Sequence, residues 1–324
     1  MGAAKSVEAQ HSKSTSREHE LRNERLALGV MPGCGCHWTH LRLSVKGAWL
    51  DFLEPAQPPR PGSNRPQYGS FVMAPWTNRI DDGIFEFGGE RFQLERSGAD
   101  GTAIHGDVRG QPWEVVTASD TAFEATLDSR EVEGFNFPYA LTFCQTLSLD
   151  DERLVARVVL KNVDSRPAPV GCGFHPYLRR RLSLADNDVI VQLAADSVYP
   201  LRNCLPTGPA QAVDGRRDLR EQRFLGAPDL DDCYTALGAE FVRLIYPGSR
   251  VEVRFHLESA FSHVVVYAPN REPGVPQDFV AVEPVTQVNN GFQLAARGWE
   301  DTGVVVLEPG VEWAAGFEIS FGDI

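Results

Sequence analysis

The stretch Tyr139–Leu149 reads YALTFCQTLSL, and its alternation decides the fold. Leu141, Phe143, Gln145, Leu147 and Leu149 fall on one face, which is mostly apolar. A period of two marks a strand with one buried side. Asp150-Asp151-Glu152 then reads as a turn, and Leu154 to Val163 (LVARVVLKNV) returns as a second strand, so the pair predicts a hairpin. The style repeats outward from there. Ala122 to Leu127, Val251 to Leu257, His263 to Tyr267, Gly303 to Leu307 and Trp313 to Phe321 are all short apolar or alternating runs. Long helical periodicity is absent, and the best helix candidate is a couple of turns near Leu219 to Phe224. Many short strands separated by frequent turn signals indicate an all-β sandwich or barrel. Antiparallel sheets of this kind often carry a ligand groove on one face.

Residues 1–24 have a different texture. They are polar and charged with almost no large apolar side chains, and they predict a flexible tail. From Arg25 to Ile324 the texture is uniform, without repeat or linker, and predicts a single domain over 25–324. At 324 residues the chain is within the range of one large β-sandwich. Its hydrophobic share of 42% is enough for a sizeable core.

The net charge is −13, which argues against nucleic acid as a partner, because an acidic surface repels phosphate backbones. No apolar run approaches the roughly 18 residues of a membrane span. The N-terminus has no apolar core of the kind that directs secretion. Gly2 and Ser6 match a loose acylation pattern, short enough to arise by chance. The six cysteines form no paired CxxC array, so no metal site is expected and the thiols read as reduced, in a cytoplasmic protein.

Five short segments set reactive side chains among apolar and glycine neighbours. They are Pro75-Trp76-Thr77-Asn78-Arg79-Ile80, Ala103-Ile104-His105-Gly106, Gly171-Cys172-Gly173-Phe174-His175-Pro176-Tyr177-Leu178, Leu230-Asp231-Asp232-Cys233-Tyr234 and Val280-Ala281-Val282-Glu283-Pro284-Val285-Thr286. Each has a plain reading. Asn78-Arg79 could make a turn with a surface ion pair, His105 could bond backbone in a loop, and Asp231 or Asp232 could cap a turn. Glu283 is harder to dismiss. It ends the apolar run Phe279-Val280-Ala281-Val282, and a buried ionised carboxylate is costly without a partner.

In this order and context the five segments resemble the aldose 1-epimerase family, also called galactose mutarotases. The pattern comprises Asn78-Arg79 before a hairpin, His105-Gly106 with Trp113 soon after, His175-Pro176-Tyr177, Asp231 with Tyr234, and Glu283-Pro284 near the C-terminus. The resemblance spans roughly residues 25 to 324. It implies a large antiparallel β-sandwich, the galactose mutarotase-like supersandwich, with few short helices. Two departures stand out. Asp107-Val108 follows the histidine loop, where galactose-specific members usually have a second glycine, and proline follows His175.

The implied activity interconverts the α and β anomers of an aldose by opening and closing its ring, without metal or cofactor. The resemblance assigns the base to Glu283 and the acid to His175. Asn78, Arg79, His105, Asp231 and Tyr177 are the implied sugar contacts, with Asp232 as an alternative to Asp231. Trp76, Trp113, Phe174 and Tyr177 are candidates for an aromatic wall. The acid and base are expected to face each other across a solvent-reachable pocket about one sugar ring wide. The partner is then a small-molecule sugar, with the protein a monomer or homodimer. Two alternatives stand beside this. The run Arg179-Arg180-Arg181 could bind the phosphate or other anionic group of a charged hexose. A binding protein could also keep the cleft without turnover.

Overall fold

A computed structural model describes residues 17–324 apart from 62 and 64. The early Gly2–Ser6 pattern and most of the expected tail lie outside these residues. The tail's far end is corrected. His19–Arg22 is a strand, pairing antiparallel with Leu26–Met31 from His19↔Val30 to Arg22↔Ala27. Leu21, buried in the core, supplies the apolar anchor that the polar composition hid.

The expected hairpin is present as Leu141–Asp150 and Arg153–Asn162, in register from Leu141↔Asn162 to Asp150↔Arg153. Every odd-numbered residue from Leu141 to Leu149 is buried. This hairpin belongs to a sheet of 15 strands. From its flank the sheet continues through Glu312–Asp323 and Val251–Leu257 to Leu230–Tyr246. It then runs on through His263–Ala268 and Phe279–Val285 to Gly173–Phe174 and Val72–Met73. Leu230–Tyr246 joins two regions of the sheet. Its first residues pair with His263–Ala268, and its last pair with Val251–Leu257.

A second sheet of four strands, His19–Arg22 to Ala48–Asp51, packs on the first through aromatic side chains. Trp38 lies 5.7 Å from Phe174 and 6.3 Å from Phe317, and Phe52 meets Phe321 edge-on at 5.0 Å. One contiguous cluster of buried side chains runs through both sheets, as a sandwich requires.

Among the described residues the α-helix is Gly291–Ala296, not the stretch near Leu219 to Phe224. There a 3-10 turn, Gly215–Arg217, leads into Arg223–Phe224, which pairs with Ile190 and Val191. Leu219 and Leu225 are buried on either side of an exposed Phe224, so the apolar spacing serves the sheet rather than a helix face. No described helix is long and apolar enough to cross a membrane. All six cysteines are free thiols.

Gln145 sits on the buried face of the hairpin with neither its amide nitrogen nor its carbonyl oxygen partnered. A buried amide without partners costs about 1–3 kcal/mol. Gln145→Met, similar in volume, is therefore expected to stabilise the fold by roughly 1 kcal/mol. Denaturant titration reads this as a higher midpoint at unchanged slope, and a lower midpoint would show that the amide is satisfied.

Candidate active site

The sheet register brings the reactive residues together. Gly173 pairs with Val285 and Tyr177 with Ala281 across the same two edges, so His175 between them falls opposite Glu283. On the other side of that strand Glu283 pairs with Val265, and Val265 pairs with Cys233. One row therefore reads His175, Glu283, Val265, Cys233. The next row on the same face reads Tyr177, Ala281, Tyr267, Asp231. This alternation decides between the two aspartates. Asp231 shares the face of Glu283, while Asp232 points to the opposite face and pairs with Arg216 at 3.2 Å.

Tight backbone approaches hold the frame. A Cβ on Gly173 would lie 2.7 Å from the Pro284 carbonyl oxygen, so glycine lets the His175 segment close on the Glu283 strand. Gly106 is more demanding. Its φ is +66°, and a Cβ would lie 1.9 Å from the Ala74 carbonyl oxygen. His105 itself sits at φ 62°, with its N–H donated to the Asn78 carbonyl at 2.8 Å. The loop thereby sets the His105 ring edge-on to His175, 5.1 Å between centroids.

His175 Nε2 lies 3.1 Å from Glu283 Oε1. This corrects the expectation of a solvent-reachable pocket one sugar ring wide between them. The two groups touch, and each side chain is 5% exposed or less. The physical reason is the register, which sets the two residues directly opposite one another on neighbouring strands.

Burial pushes the Glu283 carboxyl well above its ordinary range, Asp231 pushes it further, and Arg79 opposes. Burial pushes His175 down to about 3, with the Arg109 charge acting in the same direction. Both shifts favour the uncharged forms, so the contact is suited to sharing one proton. Glu283 Oε2, His175 Nδ1 and His105 Nδ1 are buried without partners.

The remaining predicted residues surround this pair. Arg79 donates from Nε to Asp100 at 2.7 Å and from Nη1 to the Asn78 carboxamide oxygen at 3.0 Å. Asn78 therefore holds the guanidinium. Tyr177 stacks on His175 with centroids 4.5 Å apart and planes 20° apart. Phe71 stacks on the other side at 4.9 Å, a residue that no sequence motif marked. Asp231 accepts from the Cys204 thiol at 3.1 Å. Arg79, Tyr177, Asp231 and Tyr267 are only partly buried and form the open side of the centre.

Other expectations are corrected. Trp76, Trp113 and Phe174 are completely buried in the core and form no wall. The Arg179-Arg180-Arg181 run is neutralised. Arg179 pairs with Asp51 and Glu54, Arg181 pairs with Asp278, and Arg180 is bidentate to Asp188 at 2.9 and 2.6 Å. It offers no cradle for a phosphate. A cavity of about 1450 Å³ opens farther along the same sheet face, around Thr235, His263 and Trp299. Tyr199, Cys233, Val265 and Val285 cluster between it and the centre, and none of the predicted residues lines it.

A two-layer β-sandwich with polar groups converging on one face of its main sheet is the galactose mutarotase-like fold. The chain belongs to the aldose 1-epimerase family, whose model matches residues 17–320. The uncharacterized protein YihR of Escherichia coli K12 is 25% identical over 225 residues, covering 68% of this chain and 70% of YihR. A galactose mutarotase-like protein of Clostridium acetobutylicum superposes with TM-score 0.81 at 20% identity, covering 94% of this chain and 95% of that one. A GalM/aldose epimerase homologue of C. elegans superposes at 0.77 and 18% identity, covering 95% and 99%.

Two outcomes follow. Gly106→Ala should lose at least about 2 kcal/mol, since it adds a clash to a left-handed backbone. Gly47→Ala is the control, because Gly47 has φ +82° but open space around it, and it should lose less. Equal losses in denaturant titrations would remove the close approach from the account. The second outcome concerns acid. Burial holds His37 and His263 at about 4, and it also lowers His40, His105 and His175 from the ordinary 6.5. Between about pH 6.5 and 4 the unfolded chain binds protons that the folded chain refuses, so stability falls as pH falls. Glu283 and Asp232, both raised, act in the opposite sense but are outnumbered. Melting temperature should drop steadily from pH 7 to 4.5, and a flat profile would contradict the burial of these rings.

Proposed function

We propose that the protein is an aldose 1-epimerase, exchanging the α and β anomers of an aldose by acid–base ring opening. The observation that carries this reading is the 3.1 Å contact between Glu283 and His175, with unpartnered buried atoms on both. In the reactive tautomer the shared proton is on His175, and Glu283 is a carboxylate. Glu283 takes the proton of the anomeric hydroxyl while His175 gives its proton to the ring oxygen. The carbon–oxygen bond of the ring breaks and a carbonyl forms. The pair is left as neutral acid and neutral imidazole, the charge state that burial favours. Rotation about the first carbon–carbon bond presents the other carbonyl face. Reclosure returns one proton from Glu283 and one to His175, so the cycle ends where it began without solvent protons. The two tautomers interconvert along their direct contact.

Arg79 would donate to sugar hydroxyls and Asp231 would accept from them, with His105 steadying the ring oxygen or its neighbour. Asn78 acts by holding Arg79, and Tyr177 fixes the plane of the His175 ring. The small-molecule partner is then a free sugar, handled in the cytoplasm.

Glu283→Gln should slow anomer exchange by at least about 100-fold, the scale of general acid–base catalysis. Polarimetry on fresh α-glucose and α-galactose reads the rate. A variant as fast as the parent on a sugar the parent accelerates would exclude Glu283. Sugar binding by calorimetry without acceleration of any sugar would favour a binding protein instead.

A further inference from the structure

The Asp231 carboxylate is kept apart from the nearest cation. It lies within electrostatic reach of the Arg79 guanidinium, yet Arg79 donates to Asp100 and Asn78 instead. Among the described residues the one donor to Asp231 is the Cys204 thiol, which reaches Oδ2 at 3.1 Å. A thiol is a weak donor. It orients one oxygen of a carboxylate without using up the acceptor strength of the other.

Cys204 stands where a side chain is unfavourable. Leu201–Arg202 and Leu205–Pro206 pair antiparallel, from Leu201↔Pro206 to Arg202↔Leu205. Asn203 and Cys204 make the two-residue turn between them, with φ of 52° and 61°. Two left-handed residues in such a turn favour Asn followed by Gly. Asn203 conforms. Cys204 carries a Cβ that glycine would spare the turn, so the turn alone does not account for it.

A second residue ties the hairpin tip to the centre. Asn289 lies just beyond the Phe279–Val285 strand and is buried. It donates from Nδ2 to the Cys204 carbonyl at 2.7 Å, while its Oδ1 is buried without a donor. The tip is thus fastened to the segment that follows Glu283, and an acceptor is left open at the same corner. Burial pushes the Cys204 thiol up to about 12, and Asp231 acts in the same direction. At neutral pH the thiol therefore keeps its proton and donates.

We propose that Cys204 is a positioning residue for sugar recognition, holding Asp231 off Arg79 so that each is free to meet a sugar hydroxyl. Without it the carboxylate and the guanidinium can close on one another, and sugar binding must first separate them. Asn289 acts by anchoring the tip from which the thiol reaches. The inference rests on the acid–base reading above for the sugar. The contact between thiol and carboxylate stands on geometry and has its own readout.

The test uses the full chain, with glucose and galactose as probes. Polarimetry gives kcat and KM, and thermal melting gives stability. Cys204→Gly removes the thiol and suits the left-handed turn. It should raise KM about tenfold, the scale of one lost hydrogen bond to a charged group, with kcat changed less than about twofold. Its melting temperature should be equal to the parent's or higher. A purely structural residue would lower affinity and stability together, and that result overturns the proposal. Cys204→Ser keeps a donor and should bring KM back to within about twofold of the parent. Equal KM in all three proteins also overturns it. The contact itself is read by iodoacetamide at neutral pH, with Cys204 followed by peptide mass spectrometry. Alkylation should be at least about tenfold faster in Asp231→Asn, where no carboxylate opposes the thiolate. An unchanged rate removes the contact whatever the sugar. If neither sugar is accelerated, the acid–base reading fails, and calorimetry takes the place of KM. Weaker binding by Cys204→Gly than by the parent then sustains the positioning role, and equal binding, or none by the parent, overturns it.

Discussion

The pairing of Phe279–Val285 with its two neighbours is the constraint on which the centre depends. That strand fixes Val265 on one side and, through Gly173↔Val285 and Tyr177↔Ala281, sets His175 on the other. A slip of one residue would turn Glu283 to the opposite face and place Val282 or Pro284 beside the histidine. Register is secured because the strand is buried along its whole length and every neighbour on its face is specified. The glycines before His175 belong to the same constraint, since only a residue without a side chain lets that edge close on Pro284.

Burial then converts geometry into chemistry. An exposed carboxyl and imidazole at neutral pH would settle as a solvated ion pair or drift apart. Here desolvation raises one and lowers the other, which favours a single proton at their contact. The stack of Phe71, His175 and Tyr177 prevents the ring from rotating away. The same apolar packing that stabilises the sheet therefore holds the carboxyl and imidazole in contact, and it makes several histidines a liability in acid.

Much of this was legible in the chain itself. The alternation from Leu141 to Leu149 gave away the hairpin, and Glu283 at the end of an apolar run announced a buried carboxyl. The rest was illegible for physical reasons. The 108 positions that separate His175 and Glu283 (283 − 175) say nothing of register, so the direct contact could not be read. Phe174 stands next to His175 in sequence, but extended chain turns adjacent side chains to opposite faces, and it went to the core, as did Trp76 and Trp113. Arg179-Arg180-Arg181 drew notice as a run, whereas its acidic partners lie on distant strands. Phe71 and Arg109 carry no motif at all. Their importance comes from what folds against them.

The arginine run shows how charge should be weighed in an acidic protein. A run of like charges looks like a binding site because nothing nearby in sequence offsets it, but folding can bring carboxylates from anywhere, and with a net charge of −13 they are plentiful. Arg180, the most buried of its run, is also the best satisfied, with two bonds to Asp188 and one to the Gly226 carbonyl. Partnering in the fold, not proximity in sequence, therefore decides whether such a run is free to hold a ligand.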